Sequence, residues 1–371
     1  MAPKRVLVVY PYLQHYRLGV FRAMDETLGI EYIFVSSYNG RQGIKALPPS
    51  SVLNHIETQR TQIGAFTWQN GLLSVLFREH YDAVIFFAEI PAISTWIGAL
   101  LARARQKSVL FWTTGWHRPE SGIKRLFRNS FYRLSNQLLL YGNIGKAIGE
   151  QMNFPAERMT VIGNSVETSF EGTSLETEWQ PQYDPATFVV GAVIRLIPEK
   201  QLDILIRAVS EIIHDDPSLK ISVLIVGEGA ERERLLKLAD ELNVELSLPG
   251  ALYGSRALEL VYEALDVTVV PGAIGLTAIQ SMSHGVPVIS HDSKYTQGPE
   301  WESIKPGVTG DLFQEGDLNG LIGALRKIIR LPEEKKDQLR LNCKNEVKSN
   351  WSAEAQAKKI EHAVLQCFPH G

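Results

Sequence analysis

The sequence of 371 residues has little cysteine, little net charge and no long uninterrupted apolar run. Its two cysteines, Cys343 and Cys367, have no metal-ligating neighbours at a typical spacing, so they indicate a reducing compartment at most. A formal net charge of −3 gives no electrostatic argument for nucleic acid binding. Proline and glycine interrupt the longest uncharged stretch, so no segment is typical of a transmembrane helix. We therefore expect a cytoplasmic protein.

Two motifs are also absent. No Asp-x-Asp sequence occurs, so we predict no metal site. The predicted first strand, residues 5–10, leads into residues 11–15 (PYLQH), which contain no glycine. A dinucleotide-dependent oxidoreductase should carry a Gly-x-Gly-x-x-Gly turn there, and its absence argues against that class.

Short β-branched runs alternate with amphipathic helical segments along both halves of the chain. This alternation predicts an α/β protein with parallel sheets covered on both faces. The length suits two Rossmann-like domains, and a polar, aperiodic segment separates them. We predict a first domain at 1–167, a linker at 168–186, a second domain at 187–349 and a C-terminal helix at 350–371 that crosses back to the first domain.

The stretch 266–289 is the most informative part of the sequence. A strand at 267–270 stops at Pro271-Gly272, a helix begins just after Gly275, and a second strand follows at 286–290. A helix N-terminus beside the carboxyl end of a parallel strand favours anion binding, because its first N–H groups are unpaired. An ordinary α/β crossover is the alternative interpretation.

A second anion-binding candidate is the strand-to-helix turn 195–200 (RLIPEK). Arg195 and Lys200 place two cations at the carboxyl edge of the predicted sheet, where they suit a diphosphate. A surface salt bridge with Glu199 is the alternative.

In the first half, residues 12–17, Glu89 and residues 113–117 end strands at the ligand-binding edge of the sheet. Residues 111–119 (FWTTGWHRP) combine His117 with tryptophans, a composition suited to a sugar. A surface loop with incidental aromatic residues is the alternative.

Residues 123–134 form a predicted basic amphipathic helix that includes Lys124 and Arg125. Such a helix suits an anionic membrane surface. A solvated helix face explains the same charges, so both interpretations stay open.

Four segments in this order resemble the retaining, nucleotide-sugar-dependent glycosyltransferases of family 4, which have the GT-B fold. They are 161–168 (VIGNSVET), 191–206 (GAVIRLIPEKQLDILI), 226–235 (VGEGAERERL) and 275–289 (GLTAIQSMSHGVPVI). Residues 300–313 resemble the stretch that follows in the family, and residues 10–24 resemble a subgroup with a tyrosine–arginine pair opening the first helix. The resemblance implies two Rossmann-like domains facing a cleft, an acceptor side in the first and a nucleotide-sugar site in the second.

The resemblance also assigns residues to roles. The catalytic candidates are Arg195 and Lys200, which match the diphosphate-holding pair, and His117 on the acceptor side. The donor-binding candidates are Gly227, Glu228, Gly272, Gly275, Leu276, Thr277 and Gln280. The acceptor-side candidates are Tyr12, Arg17, Thr114 and Trp116.

The chain departs from the family pattern at the usual glutamate pair, which falls at Gly272 and Gln280. The first glutamate normally contacts the donor sugar, so its absence leaves room for an unusual sugar. The amide of Gln280 still suits a ribose hydroxyl, because it both donates and accepts hydrogen bonds. His117 is the candidate replacement for a family histidine that falls at Thr114.

The resemblance implies metal-independent transfer, with retention, from a nucleoside-diphosphate sugar to a hydroxyl of a glycan, lipid-linked or small-molecule acceptor. The expected setting is bacterial-type polysaccharide or glycoconjugate synthesis. We expect no cofactor and no binding to nucleic acid. We also expect peripheral contact with the inner face of the plasma membrane. A GT-B relative that epimerises or only binds nucleotide sugars is the alternative function.

Overall fold

The computed structural model describes residues 2–40, 46–166 and 179–368. The chain forms two compact units, Met1–Glu167 with Ser352–Gly371, and Thr168–Trp351. Residues 168–178 of the predicted linker lie outside the described residues. Each unit is built around a parallel sheet, as the sequence predicts.

The strands are β1 Lys4–Tyr12, β2 Ile30–Ser37, β3 His55–Glu57, β4 Gln59–Ile63, β5 Phe66–Asn70, β6 Ala83–Phe87, β7 Ser108–Thr113, β8 Gln137–Leu140, β9 Met159–Val161, β10 Phe188–Val193, β11 Ile221–Val226, β12 Leu246–Gly250, β13 Val267–Val270, β14 Val288–His291 and β15 Gly310–Phe313. The helices are α1 Leu18–Asp25, α2 Leu72–Arg78, α3 Ile93–Ala104, α4 Gly122–Tyr132, α5 Asn143–Gln151, α6 Leu202–Asp215, α7 Arg232–Glu241, α8 Ser255–Ala264, α9 Thr277–Ser283, α10 Leu318–Ile329, α11 Glu333–Glu346 and α12 Ala353–Leu365. Among the described residues, no helix is both long and apolar enough to cross a membrane.

In the first unit, seven parallel strands lie in the order β3-β2-β1-β6-β7-β8-β9. Helices α1 and α12 cover one face, where Phe21 and Ile360 share a fully buried cluster with the strand residue Val8. Gln356 of α12 is anchored to the first unit through its amide, which accepts from Ser165 Oγ at 2.6 Å and donates to the Gly163 carbonyl at 2.7 Å. The prediction that the last helix returns to the first domain is therefore confirmed.

In the second unit, six parallel strands lie in the order β12-β11-β10-β13-β14-β15. Every residue of β11 and β13 is buried, and β10 is buried except at its two end residues. Strands β10 and β13 are neighbours. The loops that leave their carboxyl ends therefore meet at one edge of the sheet, where parallel sheets bind ligands.

The observed elements differ from the predicted ones in several places, and helix α2 and strands β3 and β15 are among the elements that were not predicted. Strand β1 continues through Pro11 to Tyr12, beyond its predicted end. The register with β2 shifts between Val9 and Tyr12, so Pro11 does not have to donate a hydrogen bond to β2. The antiparallel β4–β5 hairpin was not predicted, since β4 is polar and mostly exposed. Helix α5 was also missed.

Candidate functional site

The turn that carries Arg195 and Lys200 leaves β10 and packs against the glycine turn after β11. The amide of Leu196 donates to the Glu228 carbonyl at 2.9 Å. A side chain at Gly229 would place its Cβ 2.1 Å from the Leu196 carbonyl oxygen, so glycine is required for the two turns to touch. Arg195 remains exposed on the resulting surface.

The loop between β13 and α9 packs on the other side of the same turn. The Gly272 amide donates to the Lys200 carbonyl at 3.0 Å, and the Ala273 amide donates to the Glu199 carbonyl at 3.2 Å. The Lys200 ammonium donates in turn to the Ala273 carbonyl at 2.5 Å. The structure thus brings together the two anion-binding candidates, the cationic turn and the 271–276 loop.

Lys200 sits in an electrostatically unfavourable position. Partial burial lowers its pKa, the positive charge of Arg195 lowers it further, and Glu199 and Glu300 oppose the shift. Glu300 is only 5% exposed. An anion that approached Lys200 and Arg195 would relieve their repulsion and stabilise the charged lysine.

Hydrogen bonds tie the turn before α9 to the two strands that flank β13, namely β10 and β14. Thr277 Oγ1 donates to the Val193 carbonyl at 3.2 Å. The amide of Ile274 donates to Gln297 Oε1 at 3.0 Å, and Gln297 Nε2 donates to Ser290 Oγ at 2.8 Å. Helix α9 has seven residues, so the local N–H groups of this turn matter more than the macrodipole of the helix.

The remaining donor-side candidates surround this loop. Gly227 allows the close approach of the first turn, because a Cβ there would lie 1.9 Å from the Ile194 carbonyl oxygen. Glu228 is exposed, and its carboxylate lies 3.6 Å from Arg232. Gln280 is half-buried on α9. Leu276 is half-buried directly before that helix.

In the first unit, Thr114 and His117 line a recess of about 720 Å³ beyond the carboxyl ends of β6 and β7. Thr114 Oγ1 lies 3.3 Å from His117 Nε2. Desolvation lowers the pKa of His117, and the charges of Arg128 and Arg118 lower it further. The imidazole is therefore neutral at neutral pH and has a ring nitrogen that can accept a proton.

Trp116 does not belong to this recess. It is 1% exposed, and its ring packs edge-on against Tyr132 at a centroid distance of 4.7 Å. The expectation that this tryptophan contacts an acceptor is corrected, because its ring faces are covered by the core.

Arg17 and Tyr12 are also buried, at 6% and 9% exposure. The Arg17 guanidinium lies over the rings of Tyr16, Trp112 and Tyr141, at 5.0 Å from the Tyr141 centroid. These contacts stabilise the arginine inside the first unit. Neither Tyr12 nor Arg17 lines the recess that holds His117.

Several residues around both regions were not predicted. They are Arg60, Arg128 and Tyr132 in the recess, and Gln297 and Glu300 near the 271–276 loop. Glu300 could have been found from the sequence, because it lies in the segment 300–313 that resembles the family. Arg60 gave no signal, because β4 is short and mostly polar.

Comparison with known proteins shows what this chain is similar to. Residues 187–330 match the family described as glycosyl transferases group 1. A D-inositol 3-phosphate glycosyltransferase of Rhodococcus erythropolis is 32% identical over 161 residues, which cover 40% of this chain and 35% of the relative. The chain therefore spans about a third of the length of this curated relative.

Two solved structures match nearly the whole chain. A glycosyltransferase from Rickettsia africae has a TM-score of 0.75 at 16% identity and covers all of both chains. Anabaena HepE, solved in complex with UDP, has a TM-score of 0.71 at 15% identity and covers 98% of this chain and all of its own. The chain has the GT-B fold. Within its second unit, residues 187–330 are similar to the glycosyl transferases group 1 family.

Proposed function

We propose that the protein transfers a sugar from a nucleoside-diphosphate sugar to a hydroxyl group of an acceptor. The observation that carries the proposal is the contact between the Arg195–Lys200 turn and the 271–276 loop. Through it, Arg195 and Lys200 lie next to the loop that precedes α9. HepE, which shares the fold, was solved with UDP bound.

The proposed chemistry follows from the charge that develops during transfer. As the glycosidic bond to the β-phosphate breaks, the bonding electrons leave with the nucleoside diphosphate. Arg195 and Lys200 would stabilise this negative charge without a metal ion. The acceptor hydroxyl forms the new bond with the same anomeric configuration and releases its proton to the departing phosphate.

The acceptor is proposed to lie in the recess of the first unit. His117 and Thr114 offer hydrogen-bonding groups there, and the neutral imidazole can accept from an acceptor hydroxyl. The relatives include enzymes that act on bacterial glycoconjugates, such as a Salmonella lipopolysaccharide 1,6-galactosyltransferase. We place this protein in comparable polysaccharide or glycoconjugate synthesis in the cytoplasm.

A peripheral membrane contact is part of the proposal. Helix α4 exposes Ile123, Leu126 and Phe127 at 85%, 65% and 53%. Lys124 and Arg125 interrupt these apolar residues, and this pairing of apolar and cationic side chains suits an anionic bilayer. Helix α3 adds exposed Ile97 and Leu100 beside it. A bilayer on this α3–α4 surface would present a lipid-linked acceptor to the same unit.

The test is a screen of nucleotide sugars by thermal shift, followed by a transfer assay with the donor that stabilises most. A donor that binds the folded state raises the melting temperature in proportion to its affinity. We expect release of nucleoside diphosphate and a product with the anomeric configuration of the donor, both in the presence of a chelator. Binding with no hydrolysis or transfer would indicate a nucleotide-sugar binder, an epimerised donor would indicate an epimerase, and either would contradict the proposal.

A further inference from the structure

The β4–β5 hairpin closes one side of the recess in the first unit. Arg60 on β4 pairs with Glu89, which follows β6, and their N–O distance is 2.5 Å. The same guanidinium nitrogen lies 3.3 Å from Thr67 Oγ1 on β5. Both members of the ion pair line the recess, together with His117.

The hairpin is fixed in place by buried hydrogen bonds. The side-chain amide of Gln69 donates to Thr58 Oγ1 at 2.7 Å, and the backbone N–H of Gln69 donates to Ser94 Oγ at 3.1 Å. The amide of Thr67 donates to the Pro91 carbonyl at 3.0 Å. Arg60 is therefore presented by a rigid element, which lowers the entropy lost when a ligand binds to it.

The charges that line the recess are already balanced. Arg60 is paired with Glu89, and Arg128 is held by both oxygens of Glu120 at 2.8 and 2.9 Å. A phosphate or carboxylate bound there would add a second negative charge beside Glu89 or Glu120, and the repulsion disfavours it. A neutral ligand rich in hydroxyl groups avoids this repulsion.

An arginine–carboxylate pair has the chemistry to recognise two adjacent hydroxyl groups. The carboxylate accepts from one hydroxyl, and the guanidinium donates to the oxygen of its neighbour. The pair is partly accessible, with side-chain exposures of 19% for Arg60 and 38% for Glu89. A volume of about 720 Å³ accommodates a sugar ring and its substituents.

We propose that this recess binds a neutral sugar ring, and that the Arg60–Glu89 pair selects it by contacting two adjacent hydroxyl groups. The inference rests on the proposed function, which it deepens by naming the acceptor class as a neutral carbohydrate. His117 and Thr114 contact the opposite side of the same ring.

In the experiment, the intact protein is titrated with methyl glycosides of glucose, galactose, mannose and N-acetylglucosamine. Saturation-transfer NMR measures the binding of each glycoside. Glucuronate and glucose 1-phosphate serve as charged probes. At least one neutral glycoside binds, and both charged probes bind more weakly. Glu89→Gln weakens binding of that glycoside about tenfold, the loss expected for a hydrogen bond to a charged group.

The Arg5–Glu31 pair supplies the matched control, since it joins the same residue types at similar exposure in the same unit. Glu31→Gln leaves glycoside binding unchanged. The exchanged variant Arg60→Glu/Glu89→Arg keeps an ion pair, and therefore the stability of the hairpin, but it does not regain binding of the sugar. If the exchanged variant did bind the sugar, the ion pair would act only by stabilising the hairpin and would not select the ligand.

Failure to bind any neutral glycoside, tighter binding of the charged probes, or equal binding by wild type and Glu89→Gln would each overturn the inference. The outcomes distinguish a failure of this inference from a failure of the proposed function. If no glycoside binds while sugar transfer from a nucleotide sugar is observed, only the inference about the recess is contradicted. If glycosides bind but no nucleotide sugar is consumed, the recess remains a carbohydrate site and the proposed transfer is contradicted.

Discussion

The backbone N–H of Gly272 donates to the carbonyl oxygen of Lys200 at 3.0 Å, and no side chain fits between the two segments. A Cβ at position 272 would lie 2.0 Å from the Glu199 carbonyl oxygen. The glycine that stands where similar enzymes carry a glutamate is thus explained by packing. The contact that excludes a side chain also holds the cationic turn against the loop before α9.

Gly272→Glu is therefore expected to destabilise the protein and to lower activity. Moving the backbone to relieve the clash should cost about 1–3 kcal/mol of the free energy of unfolding, measured by urea denaturation. Gly323→Ala on α10 is the control, since nothing lies within 4 Å of a Cβ there and its φ is not positive. A Gly272→Glu protein as stable as wild type and more active would show that the loop is not close-packed.

The lowered pKa of Lys200 predicts a pH dependence of nucleotide binding. A bound diphosphate favours the charged lysine, so affinity is highest while Lys200 is protonated and is lost as pH rises through its pKa in the free protein. That loss should begin below the ordinary lysine value of 10.5. Calorimetry on the alkaline side should show this decline in wild type but not in Lys200→Arg, whose guanidinium stays charged. Identical alkaline profiles for the two proteins would rule out a titrating Lys200.

His117→Ala should slow transfer without weakening nucleotide binding, because His117 lies in the first unit and faces the proposed acceptor. Because His117 positions the acceptor hydroxyl by a hydrogen bond and the proton leaves with the phosphate, we expect kcat to fall about tenfold, the size of one hydrogen bond. The Kd for the nucleoside diphosphate, measured in parallel, should stay the same. A reduced nucleotide affinity with unchanged kcat would move His117 to the donor side.

Charge reversal on α4 should weaken membrane binding. Lys124→Glu and Arg125→Glu remove two attractive charges, each worth about 1 kcal/mol near an anionic bilayer, and add two repulsive ones. Cosedimentation with vesicles containing anionic phosphatidylglycerol measures the effect. Lys237→Glu on the exposed face of α7 is the control. Equal cosedimentation of all variants would contradict a membrane role for the α3–α4 surface.

The sequence predicted the parallel strands and most of the helices, since buried β-branched runs such as 267–270 have a strong local pattern. It also predicted that Arg195 and Lys200 lie near the segment that includes Gly275, and the structure places the 195–200 turn against the 271–276 loop. This second outcome depends on a topological rule that places strand ends together. The assignment of these residues to a donor diphosphate stays a prediction.

The acceptor side was predicted less well, because it depends on long-range packing. Trp116 and Thr114 are two positions apart, yet one is covered by Tyr132 and the other faces the recess. Arg60 and Glu89 are separated by 29 residues and meet only when the hairpin folds. No local pattern indicates either outcome.

The most direct test of the diphosphate site compares nucleoside diphosphate and monophosphate binding by calorimetry, using the nucleoside that gives the largest thermal shift. In wild type the diphosphate should bind more tightly, because Arg195 and Lys200 contact the added phosphate. In Arg195→Ala/Lys200→Ala this preference should disappear, while Lys220→Ala, which removes a cation paired with Asp184, should retain it. A preference of unchanged size in the double variant would contradict the proposed site.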